Sequence, residues 1–146
     1  MKKFEFTGET KTISLFFRTA TLHRIRAVAE FGLVKIGDLG GWIEKEENLS
    51  HEGNAWVCDN AKVFSTSHVL VIGAIGSRDD FTTFFRDKDN EITVKCGCFL
   101  GKIDKFLEKV TQTHGDSKYA LVYRAAVEVA RLQIDLSGEA PKDADE

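Results

Sequence analysis

Residues 69–72 read Val69-Leu70-Val71-Ile72, a short apolar run rich in β-branched side chains, which is typical of a buried strand. Two further segments follow it. They are Phe81-Thr82-Thr83-Phe84-Phe85-Arg86, rich in β-formers, and Ile92-Thr93-Val94-Lys95-Cys96, which alternates apolar and polar residues. Between them, Asp87-Lys88-Asp89-Asn90 has the composition of a turn. This part of the chain therefore predicts three antiparallel strands.

Two amphipathic helices are predicted after these strands. The apolar stripe of the first consists of Ile103, Phe106, Leu107 and Val110. Gly115 stands where this helix is expected to end. The stripe of the second consists of Tyr119, Tyr123, Ala126, Val127, Ala130 and Ile134. Asp116 or Ser117 is placed to cap its first turn, and both helices are expected to pack on one face of the sheet.

A faint six-residue rhythm precedes the strands. The blocks Asn54-Ala55-Trp56-Val57-Cys58-Asp59 and Asn60-Ala61-Lys62-Val63-Phe64-Ser65 both read Asn-Ala-x-Val. This is hexapeptide spacing, in which each block forms one short strand of a left-handed parallel β-helix. Two rungs are few, since about three or more are needed to bury a core, so the segment is expected to pack on a partner. An ordinary antiparallel hairpin is the alternative, and the Gly-rich residues 35–43 are predicted to cap the first rung.

The predicted fold is therefore α+β. Residues 1–68 form a short left-handed β-helix-like segment with its cap, which serves assembly, and residues 69–136 form an antiparallel sheet packed by two helices and bind the ligand. Residues 137–146 lack apolar periodicity and are predicted to be a disordered acidic tail. No apolar stretch approaches the roughly 20 residues of a membrane span, and the start of the chain lacks a signal peptide's apolar run. A cytoplasmic protein with reduced thiols is expected.

The charge distribution excludes a broad duplex-binding face. Five acidic residues and one lysine within residues 135–146 account for about −4, whereas the formal charge of the whole chain is −3. The folded body is therefore near neutral, and duplex nucleic acid binding needs many Lys and Arg side chains acting together. A small anion that needs two or three cations remains compatible with this composition.

The loop Gly73-Ala74-Ile75-Gly76-Ser77-Arg78-Asp79-Asp80 is the first candidate ligand site. Gly76 lets backbone N–H groups approach a ligand, Ser77 adds a hydroxyl, and Arg78 offers a planar fork that matches a phosphate. The alternative is a tight turn in which Arg78 pairs with Asp79 or Asp80 in solvent.

Aromatic side chains and further cations surround this loop in the sequence. Aromatic faces stack on bases and guanidinium groups hold phosphates, which is the mixture a nucleotide site needs. Strand alternation predicts Phe81, Thr83 and Phe85 on one sheet face and Thr82, Phe84 and Arg86 on the other, so one or two rings are expected to meet a ligand. His114 either reaches a ligand from the helix end or simply ends the helix. The candidate ligand-binding residues are Gly76, Ser77, Arg78, Phe81, Thr83, Phe84, Arg86, His114, Lys118, Tyr123 and Arg124.

Metal binding and catalysis are not predicted, and neither is a cofactor. Cys96-Gly97-Cys98 with the distant His114 leaves a zinc shell incomplete, because zinc sites usually have four ligands. A Cys98–His114 pair of nucleophile and base lacks an assignable third group to orient it.

Four ordered blocks within residues 72–131 carry a family resemblance. The blocks are Ile72-Gly73-Ala74-Ile75-Gly76-Ser77-Arg78-Asp79-Asp80-Phe81-Thr82-Thr83-Phe84-Phe85, Val94-Lys95-Cys96-Gly97-Cys98-Phe99, Thr113-His114-Gly115-Asp116 and Tyr123-Arg124-Ala125-Ala126. This series resembles the phage anti-Thoeris sponges of the first Thoeris anti-defence family. The resemblance implies a non-enzymatic protein, dimeric or hexameric, that captures a cyclic ADP-ribose immune signal of the infected bacterium. In some members it implies separate sites for cyclic trinucleotides of CBASS immunity.

The N-terminal half resembles the cap and first turns of phage-encoded hexapeptide-repeat proteins, in which trimers are common. Cyclic ADP-ribose carries a pyrophosphate, for which Ser77, Arg78 and Arg124 are the predicted clamp, and a purine, for which Phe81 or Phe84 is the predicted stacking face. Two other function classes stay open. They are a hexapeptide acyltransferase-like enzyme that uses His23, His51 or His68 as its base, and a structural phage assembly protein.

Overall fold

The computed structural model describes residues 2–15, 18–51, 55–58, 61–76, 80–97, 99–137 and 142–143, and within these ranges the chain is α+β. Its strands are β1 (Phe4–Ser14), β2 (Thr19–Ala27), β3 (Leu39–Ile43), β4 (Lys62–Val63), β5 (Val69–Ile75), β6 (Asp80–Arg86), β7 (Ile92–Cys96), β8 (Phe99–Lys102) and β9 (Lys142–Asp143). Its α-helices are α1 (Ile103–His114) and α2 (Lys118–Gln133). The first sheet has the order β4-β3-β2-β1-β9 and the second the order β5-β6-β7-β8.

The second sheet confirms the three predicted strands and adds a fourth. β5, β6 and β7 pair antiparallel, with Phe84 of β6 opposite Leu70 on one side and Val94 on the other. The unpredicted β8 folds back on β7, so that Cys96 pairs with Phe99. Its four residues include a glycine and carry little strand propensity of their own, so the pairing with β7 makes this segment a strand.

Both helices pack on one face of the second sheet, as predicted. The buried core there consists of Phe84, Ile92, Val94, Ile103, Phe106, Val110, Ala120, Tyr123, Ala126, Val127, Ala130 and Ile134. Tyr119 departs from the predicted stripe, since it is 44% exposed. Ser117 occupies the N-cap position of α2, but its side chain makes no capping hydrogen bond. Neither helix is long and apolar enough to cross a membrane.

The opposite face of the second sheet packs on the N-terminal part of the chain. The core there consists of Phe4, Ile25, Ala27, Val34, Ile43, Leu49, Ala55, Trp56, Val57, Ala61, Val63 and Phe85. The predicted alternation of β6 is confirmed. Phe84 faces the helices, whereas Phe85 belongs to the core on the opposite face. Thr83 lies on the same face as Phe85, where its hydroxyl accepts the Trp56 N–H at 3.3 Å. The regions before and after residue 68 therefore share one core.

The hexapeptide-like segment contributes one parallel pairing. β3 runs parallel to β4, with Trp42 opposite Lys62 and Ile43 opposite Val63. This pairing alone does not confirm the predicted left-handed β-helix. The Gly-rich stretch supplies β3 itself rather than a separate cap. A Cβ on Gly40 would lie 2.7 Å from side-chain atoms of Ile25 and of Trp56, so the core closes directly on the backbone there.

One group of exposed apolar residues lies on α2. Trp42 and Trp56 are both buried within the chain. On α2, in contrast, Leu121, Val129 and Leu132 are 60%, 46% and 89% exposed. Their helical spacing places them along one outward side of the helix.

A short strand lies within the C-terminal tail. Lys142 and Asp143 form β9, which pairs antiparallel with the end of β1 through Ser14 and Ile13. The open edge of β1 offers unpaired backbone groups, and it captures this short segment despite its low strand propensity.

Candidate functional site

A cleft of about 180 Å³ opens between one end of the second sheet and the two helices. It draws on the start of β6, the turn between β7 and β8, the C-terminal half of α1, and α2. The lining residues are Asp80, Cys96, Gly97, Phe99, Phe106, Lys109, Val110, Thr113, His114 and Tyr123.

The floor of the cleft is aromatic and fixed by packing. The Phe106 ring meets Tyr123 edge-on at 5.7 Å between centroids and lies 5.4 Å from Phe99. The His114 ring stacks on Tyr123 at 5.8 Å with an interplanar angle of 27°. Because Phe106 and Tyr123 are also buried members of the helix-side core, their rings are held in place before any ligand binds.

The rim carries polar and charged groups of opposite sign. Lys109 and Thr113 are exposed on α1, one turn apart, and the partly buried His114 follows them. The Asp80 carboxylate stands on the sheet side, where its Oδ1 accepts the Phe81 N–H at 2.8 Å. The Cys96 Sγ accepts a hydrogen bond from the Thr82 hydroxyl at 3.3 Å. Among the described residues, the cleft therefore combines an aromatic floor with the Lys109 ammonium and the Asp80 carboxylate.

Gly76 ties the predicted phosphate loop to this cleft. Its φ is +80°, and a Cβ there would lie 1.8 Å from the Tyr123 hydroxyl oxygen, so the backbone after β5 abuts that hydroxyl directly. Ser77 and Arg78 lie outside the described residues. Asp80 lines the cleft, whereas Gly76 does not line it and lies against the Tyr123 hydroxyl.

Several predicted ligand contacts do not line the cleft. Thr83 and Phe84 are fully buried on opposite faces of β6, Phe81 packs over Gly73, and Lys118 is exposed at the start of α2. Arg124 holds the helix junction, since its Nη2 donates to the Gly115 carbonyl at 3.0 Å and to Thr111 Oγ1 at 3.3 Å. Burial removes Thr83 and Phe84 from the cleft, whereas Lys118 and Arg124 lie on α2 and do not line it.

Arg86 lies at the other end of β6, roughly 20 Å along the strand from Asp80. Its guanidinium stacks on the Phe64 ring at 4.8 Å and is almost fully buried. Among the described residues, one of its terminal nitrogens has no hydrogen-bond partner. Burial, and then the nearby Arg86 charge, lower the pKa of His68 to about 4. Arg86 therefore belongs to a buried cluster with His68 and Phe64, away from the cleft.

Of the candidate residues, His114 and Tyr123 line the cleft, and Lys109 and Asp80 line it without having been candidates. Lys109 stands four residues before Thr113 and shares its side of α1, but it stands five before His114, so the spacing from His114 did not identify it. Of the floor rings, Tyr123 was a candidate ligand contact, whereas Phe106 was predicted only as part of the apolar stripe of α1. Phe106 belongs to the core and also lines the cleft, which an apolar stripe does not reveal.

The three histidines considered for acyl transfer are engaged in the N-terminal packing. His23 stacks on Phe6 at 4.3 Å, and His51 stacks on Phe4 at 4.2 Å while its Nδ1 accepts the Lys3 N–H. The buried His68 accepts the Phe64 N–H. Within the described ranges, no group of three or more His, Cys, Asp or Glu side chains is placed to hold a metal ion.

Comparison with known proteins gives one partial similarity. No protein-family model matches the chain, and no solved structure matches it. The chain is similar to the uncharacterized acetyltransferase YdcK of Escherichia coli (strain K12), with 35% identity over 69 residues. That alignment covers 44% of this chain and 21% of YdcK, so the chain corresponds to about a fifth of that relative's length.

Proposed function

We propose that this protein is a phage anti-defence protein that binds a cyclic ADP-ribose-type immune signal of the Thoeris kind and sequesters it without degrading it. The observation that carries the proposal is the aromatic cleft with a cation on its rim. All of its lining residues fall within residues 72–131, the part that resembles the anti-Thoeris sponges. Cyclic trinucleotides of CBASS immunity are a second ligand class to test.

The size and chemistry of the cleft fit one base. An engineered cavity of about 150 Å³ holds benzene, and sites for drug-sized ligands measure about 300–1,000 Å³. A cleft of about 180 Å³ therefore takes one ring system of the signal and leaves the riboses and the pyrophosphate outside. Stacking on an aromatic side chain contributes about 1–3 kcal/mol per base, and Lys109 is placed at the opening to meet a phosphate.

Retention of an intact signal is the first expected result. The protein is incubated with the glycocyclic isomer of ADP-ribose, whose linkage joins the two riboses, and the bound and heat-released material is analysed by mass. We expect release of the unaltered compound. An altered compound would contradict sequestration and indicate an enzyme, and no capture would favour an assembly role.

Lys109→Met is expected to weaken this capture about tenfold, or about 1.4 kcal/mol, because it removes the charge that faces the pyrophosphate. Lys105→Met is the matched control. Lys105 lies on the same helix, is 74% exposed, and pairs with Glu108 rather than lining the cleft. Equal affinities of the two variants, measured by calorimetric titration, would show that Lys109 does not contact the ligand.

An acyltransferase-like activity is the second candidate function, and the similarity to a protein named as an acetyltransferase favours it. On this view, β3 and β4 belong to the start of a left-handed hexapeptide β-helix. Their parallel pairing and the buried Ala55, Val57, Ala61 and Val63 support that reading. Incubation with acetyl-CoA and candidate amines tests it, since transfer would release free CoA whereas a sponge would leave the thioester intact.

A homo-oligomer is part of the proposed function, with the outward side of α2 as the contact between copies. Leu132 is 89% exposed at the centre of the expected contact, so Leu132→Glu should shift the mass in light scattering towards 16.3 kDa. Leu33→Glu changes a 62% exposed leucine in a distant turn and is the control. A wild-type mass near 16.3 kDa at micromolar concentration would rule out the oligomer.

A further inference from the structure

Arg86 is a buried cation that pairs with no carboxylate in the described part of the chain. The residue is 3% exposed, and among the described residues its Nη2 has no hydrogen-bond partner. The Phe64 ring covers one face of the guanidinium, with 4.8 Å between Cζ and the ring centroid. Asp135 acts on this charge from an exposed position, where its Oδ1 accepts the Ser137 N–H at 2.8 Å. Because a buried charge without a paired counter-charge is costly, the surroundings of Arg86 favour an anion.

His68 adds a second hydrogen-bond donor to this cluster. Its ring meets the Phe64 ring edge-on at 4.4 Å between centroids, and its Nδ1 accepts the Phe64 N–H at 3.3 Å. Burial keeps the imidazole neutral by lowering its pKa to about 4, so the ring proton is on Nε2 and this N–H group donates. His68 and Arg86 both contact Phe64, and the donors of two side chains therefore lie around one aromatic ring.

The chemistry of the cluster suits a small monovalent anion. A buried water would also accept from these donors, but it would leave the Arg86 charge without compensation, whereas an anion accepts and compensates together. One positive charge faces the ligand, because His68 is neutral, and the nearby Asp135 carboxylate would repel a second negative charge. Arg86 and His68 are only 3% and 4% exposed, which disfavours a group as large as phosphate.

We propose that Arg86 and His68 form a binding site for one small monovalent anion, such as chloride, at the end of β6 that lies away from the cleft. The site adjoins the place where the chain after α2 meets the short turn Thr66–His68, since the Asp135 N–H donates to the Ser67 carbonyl at 2.9 Å. A bound anion would therefore stabilise the contact between the C-terminal end of α2 and the second sheet. The inference is independent of the proposed function.

Thermal unfolding of the wild-type protein is the first test. Sodium gluconate, whose anion is too large for the site, is replaced by sodium chloride at constant ionic strength. A ligand that binds only the folded state raises the melting temperature and then shows diminishing returns as the site fills. We expect a rise of about 3–6 °C by about 0.2 M chloride. A melting temperature that does not depend on chloride would overturn the inference.

Two variants separate this site from general salt effects. Arg86→Met removes the charge but keeps an unbranched side chain, so the same exchange of anions should change its melting temperature by less than about 1 °C. Arg131→Met is the matched control and should respond as wild type does, because the Arg131 side chain is 44% exposed and pairs with Glu128. Equal responses of wild type and Arg86→Met would contradict the proposed site.

Proton NMR locates the anion on the wild-type protein, so the inference stays testable if Arg86→Met fails to fold. Chloride is expected to shift the Cε1–H resonance of His68, which is assigned through its loss in His68→Asn. The resonance of His114, which lines the cleft, should stay in place. A His68 resonance that chloride leaves unmoved, or that sodium phosphate shifts equally, would overturn the assignment to a small monovalent anion.

Discussion

Gly76→Ala is expected to destabilise the protein by about 3 kcal/mol and to abolish capture of a nucleotide ligand. Gly76 has a φ of +80°, and its missing Cβ would lie 1.8 Å from the hydroxyl oxygen and 2.5 Å from the Cζ atom of Tyr123. A positive φ costs a non-glycine residue about 1–2 kcal/mol, and overpacking a filled site costs about 1–3 kcal/mol more. Tyr123 cannot simply move away, because its ring is part of the helix-side core and stacks with His114.

Gly97→Ala separates these two contributions. Gly97 also lines the cleft and has a positive φ, +58°, but a Cβ there would meet nothing within 4 Å. We expect this control to cost about 1 kcal/mol and to leave ligand binding within about threefold of wild type. Urea denaturation of the two variants measures the difference, and calorimetric titration measures the binding.

A double variant identifies the atom responsible for the clash. Tyr123→Phe removes the hydroxyl, so adding it to Gly76→Ala should recover about 1 kcal/mol or more of the lost stability. The remaining contact with Cζ explains why recovery is expected to be partial. Gly76→Ala and Gly97→Ala with the same free energy of unfolding would show that Tyr123 does not restrict this backbone.

Local patterns in the sequence were sufficient to predict the second sheet and its helices. β5, β6 and β7 each carry apolar or alternating runs of strand length, and the helical stripes ending at Val110 and Ile134 repeat at helical spacing. The alternation within β6 also predicted which side chains face the helices. β8 was missed because its pairing depends on a neighbouring strand rather than on its own four residues.

The cleft was harder to predict because it depends on which side chains meet at one end of the sheet. Arg86 and Asp80 are six residues apart on one strand, yet the first lies in a buried cluster and the second at the cleft. Arg124 has the chemistry of a phosphate ligand, but it is used to hold the Gly115 carbonyl. Residue type indicated the available chemistry, whereas tertiary packing decided where each group is used.

The second large effect is expected at His68, whose burial should make the folded protein sensitive to mild acid. Its side chain is almost fully buried beside Arg86, and its pKa is lowered to about 4, mainly by burial and then by the Arg86 charge, while Asp135 opposes the shift. In the unfolded chain a histidine takes up a proton near pH 6.5. Below that pH the unfolded state therefore binds more protons than the folded state, so stability falls as the pH is lowered.

The expected size of this loss is about 1.4 kcal/mol per pH unit below pH 6.5, which gives about 2 kcal/mol at pH 5 and about 3 kcal/mol as pH 4 is approached. His68→Asn tests this assignment, because an amide oxygen can replace Nδ1 as the acceptor of the Phe64 N–H but does not titrate. Denaturant unfolding is measured every half pH unit between pH 5 and 7. At lower pH, Asp87 begins to contribute as well. Burial opposes the shift of its pKa, but hydrogen bonds to Lys102 and Thr93 lower that pKa in the fold. We expect the slope of wild type minus variant to be about 1.4 kcal/mol per pH unit at the acidic end and to vanish near pH 7. Parallel pH profiles for the two proteins would mean that His68 is protonated as readily in the fold as in the unfolded chain.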